Sequence, residues 1–386
     1  MKTPLALYIH WPFCKAKCPY CDFNSHVRAS VDVDAWQSAL QHELEDAATK
    51  IASDMQLVSI FFGGGTPSLM PPSIAASLIA LSTSLFDTTP AVEITLEANP
   101  TSAEASAFEA FHRAGVSRLS LGIQSLRAQD LMFLGRQHNV QEARTALLLA
   151  KQVFPRFSFD LIYARPNMTR QSWQEELEEA LEMAGDHLSL YQLTIEPETP
   201  FERFYRAGDF VLPDEDTAAA LYEDTLSRCL QAGLHRYEVS NFARKGSESR
   251  HNLAYWRGEQ YIGIGPGAHG RYRDRHSNQW IASETLRSPE RWLQQVSEQG
   301  HGTQNARTLT MTERAEEILM TSLRLHEGVS KEALMQATGL PLDMLASASK
   351  RAALVAQGLL HEDVSHVRAS EKGMHLLDYV LSELLA

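Results

Sequence analysis

Short apolar runs alternate with segments of helical periodicity through the first half of the chain. The strand-like runs are 5–9, 57–62, 92–96, 118–122, 157–161 and 187–193. Between the first two, Trp36, Leu40, Leu44, Ala48 and Ile51 recur about every four residues, the spacing of one helical face. Ser102 is placed to cap a helix that carries Phe108 and Phe111 and stops at Gly115. Thr169 is placed to cap another, with Trp173, Leu177, Leu181 and Ala184 on one side. Six strand–helix alternations predict an α/β fold, a parallel sheet covered by helices. Units of roughly 25–45 residues fit a partial (β/α)6, TIM-like barrel better than a mononucleotide-binding half.

The pattern changes after this body. The stretch 274–312 is polar and reads as an irregular connector. Beyond it, 313–325, 331–338 and 342–357 read as helices, 359–368 as a small hairpin, and 371–385 as a last helix capped by Ser370. That succession is winged-helix-like. The expected division is 1–272 for the barrel, 273–312 for the connector and 313–386 for the helical domain. A winged helix often binds DNA, but the chain of 386 residues has a net charge of −13, and no basic stripe marks a nucleic-acid partner. A lid or docking role fits the tail better.

Hydrophobic residues make up 44% and charged residues 22%, an ordinary globular balance. No apolar run reaches the roughly 20 residues of a membrane span. The N-terminus leads straight into a strand, without the apolar region and cleavage site of a signal peptide. Four cysteines, three of them clustered, point to a reducing cytoplasm.

Those three are the strongest chemical signal. Cys14, Cys18 and Cys21 lie within eight residues, in the loop after the first strand. Three thiolates suit an iron–sulfur cluster with one iron left open. A structural zinc site wants a fourth ligand, which His10 or His26 would have to supply. A disulfide with a spare thiol is disfavoured by the odd count. Cys229 falls on a helix with Ala218, Leu221 and Leu226 and reads as core.

Other strand ends carry polar features too. Gly63-Gly64-Gly65-Thr66-Pro67 follows the second strand, Glu97 the third and Gln124 the fourth, while Asp160 ends the fifth. Chemistry in such barrels sits at these ends, so the set reads as one shared site. The glycines permit close backbone approach, as well as a plain tight turn. Arg136 has the planar fork for a ligand carboxylate, or is a solvated helix-end arginine. His251, Asn252, Tyr255 and Trp256 lie within six residues. A histidine beside aromatics is a candidate heme ligand, but the pattern alone favours a buried histidine with a local hydrogen bond. Gly263–Gly270 is too glycine-rich for a plain strand and a weak dinucleotide signal.

Together these residues resemble the radical S-adenosylmethionine superfamily, and within it the coproporphyrinogen III oxidase-like branch. The resemblance rests on the Tyr8-Ile-His-Trp-Pro-Phe-Cys14 lead-in, the cysteine loop, Gly63–Pro67, Glu97–Pro100, Gly122–Ser125, Gly135–His138, the segment from Asp160 and Tyr191–Pro197. It extends over essentially the whole chain. The third cysteine is followed by Asp22-Phe23, where the oxidase has a further cysteine at the second position. His251-Asn252-x-x-Tyr255-Trp256 matches a signature of the branch's heme-chaperone group. Ala164-Arg165-Pro166 departs from the usual glycine-leucine-proline turn.

The resemblance implies a [4Fe–4S] cluster on Cys14, Cys18 and Cys21. It implies S-adenosylmethionine held by Tyr8, Tyr20, Asp22, Gly64, Gly65, Thr66, Glu97, Gln124, Arg136 and Asp160. In the superfamily the cluster gives one electron to the sulfonium, which yields methionine and a 5′-deoxyadenosyl radical. The expected function is a heme chaperone, with heme as cargo near His251, Asn252, Tyr255 and Trp256. The expected partner is a heme-acceptor protein, with a membrane-associated one compatible. Radical chemistry would add an electron donor such as a flavodoxin or ferredoxin. The alternative is oxygen-independent oxidative decarboxylation of coproporphyrinogen III, an activity expected to be absent here.

Overall fold

The computed structural model describes residues 2–52 and 54–385. Six strands run parallel and neighbour one another in chain order: β1 (Thr3–Trp11), β2 (Met55–Gly64), β3 (Asp87–Ala98), β4 (Arg118–Gln124), β5 (Arg156–Tyr163) and β6 (His187–Gln192). These are the six expected strands, most of them longer than their apolar runs. Side chains alternate across a strand. Leu5, Leu7, Ile9 and Trp11 of β1 join the main hydrophobic cluster with helix residues Trp36, Leu40 and Leu44. Leu119, Leu121 and Ile123 of β4 and Phe157, Phe159 and Leu161 of β5 do the same. The intervening positions are polar and mostly buried: Ser59, Thr95, Arg118, Ser120, Ser158, His187 and Ser189. The barrel is therefore oily outside, under its helices, and polar within.

Further strands extend the sheet at both sides. β7 (His235–Arg236) and β8 (Asn241–Ala243) follow β6, with β8 antiparallel to it. On the other side β9 (Gln260–Ile264) lies parallel to β1, followed by antiparallel β10 (His269–Arg273), β11 (Trp280–Thr285) and β12 (Thr303–Thr308). The 12-stranded order is β12-β11-β10-β9-β1-β2-β3-β4-β5-β6-β8-β7, an open rather than closed barrel.

Two expectations change here. The glycine-rich stretch joins two true strands, with Gly263 and Ile264 ending β9 and His269 and Gly270 beginning β10. Its Gly265 has φ +92, and a Cβ there would lie 2.3 Å from the His10 carbonyl oxygen. That glycine admits the backbone of β1, not a ligand. The polar stretch 274–312 is not irregular: it holds β11, the Pro289–Gln299 helix and β12. β12 is an edge strand exposed along most of its length, so it needs no apolar alternation and shows none.

Local signals held with small shifts. Thr169 caps its helix through a capping box with Ser172. Thr101, not Ser102, caps a short helix, Ser102–Ala105, by accepting from the Glu104 N–H, and Phe108 and Phe111 lie on a separate helix, Phe108–Arg113, with no side-chain cap. The 342–357 segment divides into a 3-10 turn (Leu342–Met344) and the Ala348–Ala356 helix, because Ser347 starts a new cap. The last helix breaks at Leu376. The tail pairs β13 (Val329–Ser330), β14 (Leu360–Glu362) and β15 (His366–Ala369) in the order β13-β15-β14. It has its own cluster, including Leu319, Leu334, Val367 and Val380. Cys229 is fully buried. Among the described residues no helix is long and apolar enough to cross a membrane.

One buried carboxylate fastens the added strands to the barrel. Glu43, on the Val33–Lys50 helix, accepts from Gly265 N–H (2.7 Å), Gly302 N–H (2.6 Å) and Trp292 Nε1–H (3.0 Å). Burial pushes its carboxyl up to about 7. Glu43→Ala would orphan three buried donors, so it should cost about 3 kcal/mol in denaturant unfolding. The exposed neighbour variant Glu45→Ala should cost little, and equal losses from the two would refute this role.

Candidate functional site

At the C-terminal ends of the parallel strands opens a cavity of about 960 Å³. The cysteine loop after β1 brings Cys14, Cys18, Tyr20, Cys21 and Asp22 to it. The β2 end brings Gly64, Gly65 and Thr66, and Glu97, Gln124 and Asp160 come from β3, β4 and β5. Arg136 completes the set. Of the cofactor candidates named from sequence, only Tyr8 does not line the cavity. Its hydroxyl lies 3.1 Å from His10 Nδ1, and its ring stacks on Phe61 lower in the barrel.

Arg136 organises this wall. Its guanidinium donates to Cys18 Sγ (3.4 Å), Tyr20 Oη (3.3 Å) and the Gly122 carbonyl (2.8 Å), and also to Asn99 Oδ1. One side chain thus joins the cysteine loop to the ends of β3 and β4. Thr66 donates to Cys14 Sγ (3.3 Å) and receives from Asn99 Nδ2 (3.2 Å). Gly64 has φ +113, and a Cβ there would meet the His10 ring at 2.6 Å. Burial pushes the Cys14 and Cys21 thiols up. Among the described residues no three His, Cys, Asp or Glu side chains are placed to hold a single metal ion.

The polar lining is charged in an unusual way. Burial first, and the neighbouring Asp160 second, push Glu97 up to about 8. Burial pushes Asp160 up to about 6. Gln124 adopts φ 69, and its buried Oε1 has no partner. Two carboxyl groups and a glutamine with an unpaired amide oxygen therefore belong to the wall of a cavity that would reward a cationic or hydrogen-bond-donating ligand.

The His251 group lies elsewhere. Its Arg250–Trp256 helix packs low in the barrel, where His251 is 2% exposed. His251 Nδ1 is 3.0 Å from the Ser59 hydroxyl, and the ring stacks on Phe61 and meets Tyr255 edge-on. Its Nε2 is buried without a partner. Asn252 donates to Tyr237 Oη at 3.3 Å. Trp256 is half-buried and packs near Tyr237 and Leu325. None of the four lines the upper cavity.

Several lining residues were not singled out from sequence. Asn99, inside the Glu97–Pro100 motif, and Tyr191, inside the Tyr191–Pro197 motif, were legible in the sequence. Tyr222 also lines the cavity, and so do Met374 and His375 from the tail. His375 meets Tyr222 edge-on at 5.2 Å. No local pattern marks these two, since only the packing of the tail brings them here.

A parallel-strand barrel with a three-cysteine loop and a polar cavity at its strand ends has the architecture of a radical SAM protein. The Radical SAM superfamily profile matches residues 8–180, and the HemN C-terminal domain profile matches 309–376. The chain is 38% identical to radical S-adenosyl methionine domain-containing protein 1, mitochondrial, of Danio rerio, over 98% of this chain and 86% of that one. It is 36% identical to heme chaperone HemW of Escherichia coli, over 99% and 98%. The structure of Escherichia coli coproporphyrinogen III oxidase HemN superposes with a TM-score of 0.81 at 21% identity, covering 100% of this chain and 91% of that one. The chain belongs to the radical SAM family that contains these HemW sequences.

The cavity carboxyls give a pH prediction. Both folded values lie above the ordinary carboxylate range, so the folded state holds these protons more tightly than the unfolded chain. Their contribution to stability is complete at low pH and is lost as pH rises towards about 8 for Glu97. The thermal midpoint of the ligand-free protein should fall over that range, and that of Glu97→Gln should fall less. Parallel curves would contradict the assignment.

Proposed function

We propose that this chain is a heme chaperone that carries a [4Fe–4S] cluster and S-adenosylmethionine. The observation that carries the reading is near full-length similarity to proteins named heme chaperone HemW, at 36% identity for the Escherichia coli protein. The oxidase alternative has less support. At the position where a further cysteine would follow the loop stands Phe23, 57% exposed at the cavity mouth. A phenyl ring there offers no thiol.

The upper cavity suits both groups. Three thiol side chains face it from one loop, and soft sulfur donors favour an iron–sulfur centre. Cys14, Cys18 and Cys21 would hold the cluster. When bound, the cluster and S-adenosylmethionine supply one-electron chemistry at the sulfonium. The chain's own residues bind and orient. Glu97 and Asp160 would face the cationic groups of the cofactor, and their raised values mean that binding expels protons near neutral pH. Gln124, whose Oε1 is buried without a partner, would turn its amide to accept a hydrogen bond from it. Arg136 would keep the loop against β3 and β4. Tyr8 would act from beneath, since it does not line the cavity, and Tyr20, Asp22, Gly64, Gly65 and Thr66 would contact the cofactor from the wall.

Heme is the cargo, and an acceptor protein, membrane-associated or not, receives it. The acceptor and any flavodoxin- or ferredoxin-type electron donor belong to this proposal, as does a cytoplasmic site of action. Heme contact through His251 requires the Arg250–Trp256 helix to open, because the imidazole is enclosed by Phe61, Tyr255 and Ser59. Asn252 and Trp256 are half-buried and more accessible. The boundaries at 272 and 313 are part of the same reading. The tail's separate hydrophobic cluster supports the second, whereas 273–312 is built into the main sheet.

An anaerobic heme titration of cluster-loaded protein tests the function. Saturable binding of about one heme per chain is expected, with an absorption spectrum altered by His251→Ala. Replacing Cys14, Cys18 and Cys21 by alanine should abolish cluster absorbance and leave most heme binding. Loss of both together would show that the two sites are not separate. Turnover of coproporphyrinogen III without heme binding would replace the chaperone reading by the oxidase one.

A further inference from the structure

A second cavity, of about 340 Å³, lies at the opposite, N-terminal ends of β4, β5 and β6. Its charged lining is Arg118, Lys151, Arg156, Arg244 and Asp186. Four cations thus face one carboxylate. Asp186 is spent on Arg244, at 3.2 Å. Arg156 is tied to Glu93 and to the carbonyls of Ser247 (2.7 Å) and Glu248 (3.0 Å).

Arg118 is the telling residue. It is 3% exposed, and its side chain donates to the Ser158 hydroxyl at 2.7 Å. Among the described residues no carboxylate forms an ion pair with it; Glu97 and Asp160 feel its charge from farther up the barrel. A buried cation without a contacting anion is costly. His187, 2% exposed, lines the same cavity. Its Nε2 is 2.9 Å from Tyr237 Oη, and its Nδ1 is buried with no partner. Burial first, and the charges of Arg118 and Arg156 after it, hold this imidazole well below its usual value.

We propose that this lower cavity is an anion site that takes a carboxylate or phosphate group, held by Arg118, Lys151 and Arg244, with His187 in its wall. The space admits a small anion or an acidic side chain of a larger ligand, not a macrocycle. The site is wired to the His251 helix along two routes. Arg156 pairs with Glu93, whose Oε1 accepts from the Arg250 N–H (2.9 Å) and the His251 N–H (3.5 Å) at that helix's N-terminus. His187 reaches Asn252 through Tyr237. The site stands independently of the heme reading; a heme propionate as the source of the carboxylate rests on it.

Calorimetric titration of the full-length protein with inorganic phosphate tests the site. Saturable binding is expected, weakened about tenfold in the exposed double variant Lys151→Gln/Arg244→Gln, as for loss of charge-assisted contacts. Arg118→Gln should weaken it further, and if that buried variant does not fold, the exposed pair still decides. Absence of saturable phosphate binding in the wild type, or undiminished binding in the double variant, overturns the proposal. Competition separates the two sources of the anion. Phosphate that displaces heme but not heme dimethyl ester identifies a propionate, and phosphate that binds without affecting heme identifies a free anion. Phosphate binding in a protein that takes up no heme would sink the chaperone reading and leave this site standing.

Discussion

A barrel with a polar interior must pair every buried polar group or leave it aimed at something, and that constraint shapes this protein. The outward positions of β1 to β6 supply the oily layer against the helices. The inward positions then carry serine, threonine, arginine, histidine and carboxylate side chains in a space with little water. Most find partners within the barrel: Ser59 meets His251, Arg118 meets Ser158, and Ser189 meets Asn241. The few unpartnered atoms concentrate chemistry. Gln124 Oε1 belongs to a residue lining the upper cavity, and His187 Nδ1 to one lining the lower.

The upper end depends on one guanidinium to hold a loop that has little regular structure. The cysteine segment forms a two-residue strand, Phe13–Cys14, paired with His26–Val27. Asn24 ties it to the Pro266 and Arg287 carbonyls at 2.9 and 3.0 Å. Arg136 pins its other side to strands β3 and β4. Thiols on a loop fastened at both sides are held in place, so a group binding there would cost little ordering entropy.

The tail and the barrel floor meet the two ends differently. Met374 and His375 reach the upper cavity from a domain with its own core, where Arg236 and Glu371 form an ion pair at 2.8 Å. The floor is closed by the Arg250–Trp256 helix, whose N-terminal amides rest on the buried Glu93 carboxylate. A carboxylate there complements the positive end of the helix as well as Arg156. The His251 group and the upper cavity are therefore separated along the barrel axis, with Tyr8 and Phe61 between them.

The sequence by itself determined the parallel strands, the cysteine loop and the cluster of polar residues at the strand ends. Each is written in short-range terms: apolar runs, caps, glycines and thiol spacing. It missed β7 to β12 because strand formation there is imposed by neighbours; Gly265, just after β9, fits against the His10 carbonyl, and β12 lies exposed at an edge. Motif spacing brought His251 to notice but could not say that its imidazole is enclosed. Burial of that ring is set by Phe61, Ser59 and Tyr255, the first two nearly two hundred residues away. The same holds for Met374 and His375, and for the basic cavity formed by Arg118, Lys151, Arg156 and Arg244. Only tertiary structure decided these, because burial and electrostatic potential are sums over residues that are distant in the chain and adjacent in space.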